Sequence, residues 1–190
     1  MKRKRRWLQY NAPVTLTFAL LSFAVLLLDF LTGGVSTRRL FCVYRSSLAD
    51  PLTYFRFFTH TLGHSGFSHY SGNMMLLLVL GPSLEERYGS RMIFWSMMAT
   101  AFVSGLLQWL LFPGTALLGA SGIVFMMILM SSLGGSRGDG LPLTLLLVFV
   151  IYVGSEIYSA ITASDNVSHL THIVGGCCGA VIGLGLRQKK

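Results

Sequence analysis

The chain has 190 residues, of which 53% are hydrophobic and only 12% charged, and its mean hydropathy is +0.62. An ordinary soluble domain carries roughly 25% charged residues, so a soluble enzyme is excluded and a membrane protein is expected. The net charge of +8 does not read as a nucleic-acid surface, because the run Lys2-Arg3-Lys4-Arg5-Arg6 directly precedes an apolar stretch and Arg187, Lys189 and Lys190 close the chain; this is the positive-inside pattern.

Six apolar segments bounded by Gly, Pro or charge follow in order, at about 13–33, 66–83, 92–112, 115–133, 141–160 and 167–186. A bilayer-crossing helix needs ~20 apolar residues, so the length accommodates six crossings in one domain and no second domain. The expected organisation is a basic cytoplasmic N-terminus at 1–12, a six-helix domain at 13–186 and a basic cytoplasmic tail at 187–190. The first apolar run exceeds the core of about 7–15 residues found in secretory signals, and is read as a retained first helix. With both termini inside, the cytoplasmic face holds eleven basic residues and the other face four, Arg38, Arg39, Arg45 and Arg56.

The connection from about Gly34 to Ser65 is the one long loop, and it mixes Arg with Phe41, Tyr44, Tyr54, Phe55, Phe57 and Phe58. That composition suits the headgroup region; an interface-resting structural loop and a substrate-steering loop are both open. Cys42 lies in this loop, outside every apolar segment, and is expected to face outward as an accessible thiol. Cys177 and Cys178 lie inside a segment, and no disulfide framework is indicated.

Polar groups inside a membrane are costly, so each is a functional candidate. In the fourth segment Ser121 lies about six residues below the boundary and in the sixth His172 about five, a depth of roughly 8–9 Å at helical rise. The second segment adds His69 and Asn73, four residues apart and on one helical face. A hydroxyl, an imidazole and two further hydrogen-bond donors in one layer are the parts of acyl transfer: nucleophile, base and oxyanion donors. Serine is too weakly acidic to attack an amide unaided, so the imidazole must lie within hydrogen-bond reach. Gly119 and Gly122 flank Ser121, and Gly175 and Gly179 follow His172 on its own face, a small-residue packing surface. Ordinary helix packing with a satisfied histidine is the alternative for that motif alone. His60, His64 and His69 lack the acidic or thiolate company of a metal site, and no metal or other cofactor is expected. His169 is the second choice of base. Asp29, Glu156 and Asp165 share no face with the candidates, which leaves a Ser–His dyad without an obligatory carboxylate.

These motifs, in this order, resemble the rhomboid intramembrane serine proteases of the minimal six-helix, bacterial type. The likeness rests on His64 with His69-Tyr-Ser-Gly-Asn73, Gly119-Ala-Ser121-Gly122, His172-Ile-Val-Gly175 with Gly179, and Glu85-Glu86-Arg87-Tyr88-Gly89. The resemblance implies an all-α six-helix bundle with a long first extracytoplasmic loop, in a bacterial cell membrane. It also implies Ser121 as nucleophile, His172 as base, His69, Asn73 and the Ser121 backbone N–H as oxyanion donors, and His64 as site support. Its expected partners are the lipid bilayer and single-pass transmembrane proteins, cut near the outer membrane boundary where a helix unwinds, with no nucleic acid; oligomeric state is left open. Two positions depart from the family pattern: Phe55-Arg56 where Trp-Arg is common, and Phe125 where many bacterial members have Tyr. A ring at Phe125 can stack beneath His172 but cannot hydrogen bond. Taken alone, Glu85 and Arg87 would be a solvated surface pair. The competing class is a rhomboid-like protein that binds membrane clients without cutting them.

Overall fold

The computed structural model describes residues 9–134 and 169–187, with single positions at 143, 146, 147, 150, 151 and 154 between them. Among these residues the helices are α1 (Pro13–Leu31), α2 (Val35–Leu40), α3 (Pro51–Thr59), α4 (Phe67–Tyr88), α5 (Ser90–Leu111), α6 (Ser121–Gly134) and α7 (His169–Arg187). Two short strands, β1 (Val43–Tyr44) and β2 (Ala116–Leu117), complete the described elements. Most of the fifth predicted segment, with Glu156, Asp165 and Arg137, lies outside the described residues; its six described positions are helical.

Helix α6 is the axis of the molecule. Ile123, Met126, Met127 and Met130 are fully buried on it, and it packs against α4, α5 and α7. Flexible methionines fill the gaps between helices that approach at different distances. Helices α1 and α5 are long and apolar enough to cross a membrane, and α1 turns large apolar side chains outward, with Phe30 85% and Leu31 79% exposed. A soluble fold would not leave them so.

The start of α1 is fastened by a buried acid. Pro13 occupies the first turn, where its missing N–H costs nothing, and the next donors need a partner from elsewhere. Glu85 supplies it: one carboxylate oxygen accepts from the Thr15 N–H at 2.7 Å and the Thr15 hydroxyl at 2.6 Å, the other from the Val14 N–H at 3.3 Å. The carboxylate also meets the positive end of the α1 dipole. Glu85 is therefore a buried cap and not half of a solvated pair; Arg87 does stay exposed, over the Tyr88 ring. Replacing Glu85 with alanine leaves these buried donors unpaired and should cost about 2–3 kcal/mol. Thermal unfolding in detergent should show the loss, with Glu85→Gln recovering part of it.

The long connection is ordered, and its order is built on Arg56. This side chain, 4% exposed, donates from Nε to the Arg39 carbonyl at 2.7 Å and pairs with Asp50 at 3.3 Å, and its guanidinium lies over the Tyr44 ring. Asp50 at the same time caps α3, accepting from the Leu52 N–H. Arg45 closes the far end: it donates to the Trp109 and Leu110 carbonyls at the end of α5 and lies over the Trp109 ring, where a cation suits the helix dipole. Cys42 does not behave as expected. It is buried, and burial pushes its thiol up to about 11, with the nearby Arg56 charge only partly offsetting this. Its thiolate, the reactive species, is scarce at neutral pH, so an accessible reporter belongs at exposed Ser47 or Leu48.

Candidate active site

The sequence carries no charged residue from 115 to 133, yet the first residues of that segment are not helical. Ala116 and Leu117 form β2, paired antiparallel with β1 so that Val43 faces Leu117 and Tyr44 faces Ala116. The Gly119 N–H donates to the His60 carbonyl at 2.9 Å. Two links from the long connection thus fix the approach to α6, and Ser121 is the first residue of that helix. Helical rise from residue 115 does not apply, so the inferred depth of Ser121 is corrected: it stands at a helix N-terminus, where the first backbone N–H groups have no intrahelical acceptor.

Gly119 has φ +119°, a conformation that L side chains rarely adopt, and it admits close neighbours. A methyl group there would sit 2.8 Å from His69 Cε1 and Nε2 and 3.8 Å from Asn73 Nδ2. Both α4 side chains therefore meet the turn two residues before Ser121. His69 Nδ1 lies 3.1 Å from the Ser65 hydroxyl and accepts from the Ser65 N–H at 3.5 Å, which leaves the proton on Nε2, the nitrogen nearest Gly119. Asn73 is buried, and its amide nitrogen has no acceptor among the described residues.

On the other side, Gly175 of α7 meets Gly122. A methyl at Gly175 would clash with the Gly122 carbonyl oxygen and lie 2.7 Å from its Cα; one at Gly179 would lie 2.7 Å from the Met126 Cα. Backbone touches backbone at both points, as the small-residue face of the sixth segment requires. His172 precedes Gly175 by one turn in the same helix, so the helix position bearing it is carried to the α6 turn that begins at Ser121. The placement of the His172 and His169 side chains lies outside the described residues. Phe125 is half-buried one turn beyond Ser121.

His64 and His60 stand behind this layer. His64 donates from Nδ1 to the Leu62 carbonyl at 3.1 Å, and its ring meets the edges of His69 and Tyr70, with centroids 5.0 and 5.5 Å away. His60, weighed from sequence only as a metal ligand, donates from Nε2 to the Ala101 carbonyl at 3.1 Å while its own carbonyl holds Gly119. Nothing in its flanking residues marks that role, which arises from the packing of α3 on α5. Burial lowers both imidazoles to about 4, and a second proton on the neighbouring His69 would lower His64 further. They are neutral at pH 7. An unfolded chain takes up protons below about 6.5 that the folded chain refuses until about 4, so stability is full above pH 6.5 and falls as the pH drops toward 4. The unfolding temperature should therefore be lower at pH 5 than at pH 7.5, with less difference in His60→Gln.

Comparison with known proteins finds one family match and several relatives. The rhomboid domain matches residues 51–189. Rhomboid protease GlpG of Serratia proteamaculans is 28% identical over 169 residues, covering 86% of this chain and 60% of that protein. Rhomboid-related protein 2 of Mus musculus is 29% identical over 157 residues, 72% of this chain and 52% of the relative. Rhomboid-related protein 1 of Caenorhabditis elegans is 28% identical over 137 residues, 67% of this chain and 38% of the relative. The chain thus spans less than two thirds of the length of each.

Proposed function

This chain belongs to the rhomboid family, and from that premise we propose that it is an intramembrane serine protease working through a Ser121–His172 dyad. The observation that carries the proposal is the convergence of two helices on the glycines flanking Ser121: α4 brings His69 and Asn73 to Gly119, and α7 brings its Gly175 turn to Gly122. In this reading the Ser121 hydroxyl attacks the substrate carbonyl as His172 takes its proton. His69 Nε2–H, the Asn73 amide and the Ser121 backbone N–H receive the oxyanion. His172 then gives the proton to the leaving amine, and water, activated by the same imidazole, releases the acyl group. His64 supports His69 through the edge contact between their rings.

The proposed substrates are single-pass transmembrane proteins cut near the extracytoplasmic boundary, with both termini of this chain cytoplasmic. A transmembrane helix has its carbonyls engaged and must unwind before attack, which favours small residues and Gly or Pro at the cut. A fluorophosphonate probe on the detergent-solubilised protein tests the assignment: labelling should occur and should vanish in Ser121→Ala. A folded protein that takes up no label would fit a client-binding protein instead. Replacing Asn73 with alanine should slow turnover about 10²-fold, the weight of one preorganised oxyanion donor, while Ser121 still accepts the probe; wild-type turnover would remove Asn73 from the site.

A further inference from the structure

Beneath the long connection lies a cavity of about 420 Å³, a volume typical of sites that take a small molecule, about 300–1,000 Å³. It is walled by Thr17 and Leu21 of α1, Phe58 and Leu62 of the connection, and Phe94 and Met98 of α5. The two helices that form its sides are the two described as long and apolar enough to cross a membrane. Leu21, Phe58 and Phe94 are exposed, so the cavity is open between α1 and α5 toward whatever surrounds them.

Its lining is mostly apolar and suits hydrocarbon. The three threonines in its lining already bond protein partners: Thr17 shares a hydrogen bond with the Tyr10 hydroxyl at 2.7 Å, Thr59 donates to the Leu40 carbonyl at 2.5 Å, and Thr61 donates to the Phe58 carbonyl at 2.9 Å. Water would find few partners, and an apolar space of this size in contact with a bilayer fills from the bilayer. The charge at its lower end names the kind of chain. Arg91, exposed, precedes Phe94 by one helical turn at the start of α5.

From this juxtaposition we propose that the cavity between α1, α5 and the long connection binds one acyl chain of an anionic phospholipid, whose headgroup meets Arg91. The site lies apart from Ser121 but touches its support, because Leu62 in its roof is the residue whose carbonyl holds His64. The proposal needs the membrane setting of the protein and does not depend on the dyad.

Native mass spectrometry of the full chain in detergent, with phosphatidylglycerol or phosphatidylcholine added, tests it. One phospholipid should be retained, with phosphatidylglycerol preferred. Met98→Trp and Leu21→Trp fill the cavity from opposite walls, and each should weaken retention about tenfold or more by steric exclusion, with thermal unfolding confirming that each variant is folded. Arg91→Gln should reduce the preference for the anionic lipid about fivefold, the weight of one basic side chain at a membrane surface. A wild-type protein that retains no lipid, or folded Trp variants that retain it unchanged, would overturn the proposal, and an unaltered preference in Arg91→Gln would overturn the headgroup assignment. If the chain binds lipid only after residues 1–8 are removed, that segment is the occupant and the proposal is wrong.

Discussion

Ser121→Ala and His172→Ala should each reduce cleavage of a reconstituted single-pass substrate to background, a loss of about 10⁴-fold or more. The size follows from how a dyad works: without the hydroxyl no acyl bond forms, and without the imidazole the hydroxyl keeps its proton, so removing either part removes the whole. Neither change touches a packing contact described for the bundle, so both variants should unfold at temperatures close to wild type. His169→Ala should retain substantial activity. His169 is the first residue of α7 and stands nearly two turns before Gly175, whereas His172 stands one turn before it. If His169→Ala proves the more damaging change, the base has been assigned to the wrong histidine.

Gly175→Val should be as severe for activity, without removing any catalytic group. Even the first carbon of that side chain would clash with the Gly122 carbonyl oxygen, which belongs to helix backbone and cannot swing aside as a flexible side chain would. Helix α7 must move away from α6 or tilt, and a displacement near 1 Å between a nucleophile and its base costs on the order of 10²-fold in rate; a branched side chain demands more. The same overpacking should lower stability by about 1–3 kcal/mol. Gly176→Ala is the control: a methyl there would meet only the Leu129 Cδ1 at 3.4 Å, a side-chain end that can give. Cleavage should survive in that variant, and equal loss in both would mean that α7 tolerates no substitution at all and would remove the special role of the Gly122 contact.

The parts of the site that were legible in the sequence are those whose chemistry is stated by residue type and spacing. Gly175 and Gly179 stand four apart on one face of α7, and the backbone contacts with Gly122 and Met126 fall at those positions. His69 and Asn73, also four apart, reach the same glycine turn. What could not be read is where an apolar run stops being a helix. Residues 116–120 are as apolar as the helix that follows, because Leu117, Gly119 and Ala120 are buried and Leu117 pairs with Val43 of β1, and burial erases the polar signal that marks a loop in a soluble protein. The long connection misled for the converse reason: Arg56 and Cys42 look like surface residues in a loop, yet Arg56 is the hub that three parts of the loop bind, and Cys42 is packed beside it. Glu85 belongs with them, since a carboxylate that caps another helix some seventy residues earlier in the chain leaves no trace in its own neighbourhood.

The central claim, that the α6 turn beginning at Ser121 and the α7 turn bearing His172 form one reactive unit, is tested most directly by a covalent bridge. A 4-chloroisocoumarin acylates a reactive serine and, on ring opening, exposes an electrophilic carbon that alkylates an adjacent histidine. Treated with this reagent and digested, the protein should yield a single cross-linked species joining the Ser121 peptide to the peptide containing His172, with the bridge mapped to that imidazole by fragmentation. A bridge from Ser121 to His169, or an acylated Ser121 with no bridge while the unreacted protein remains folded, would contradict the account.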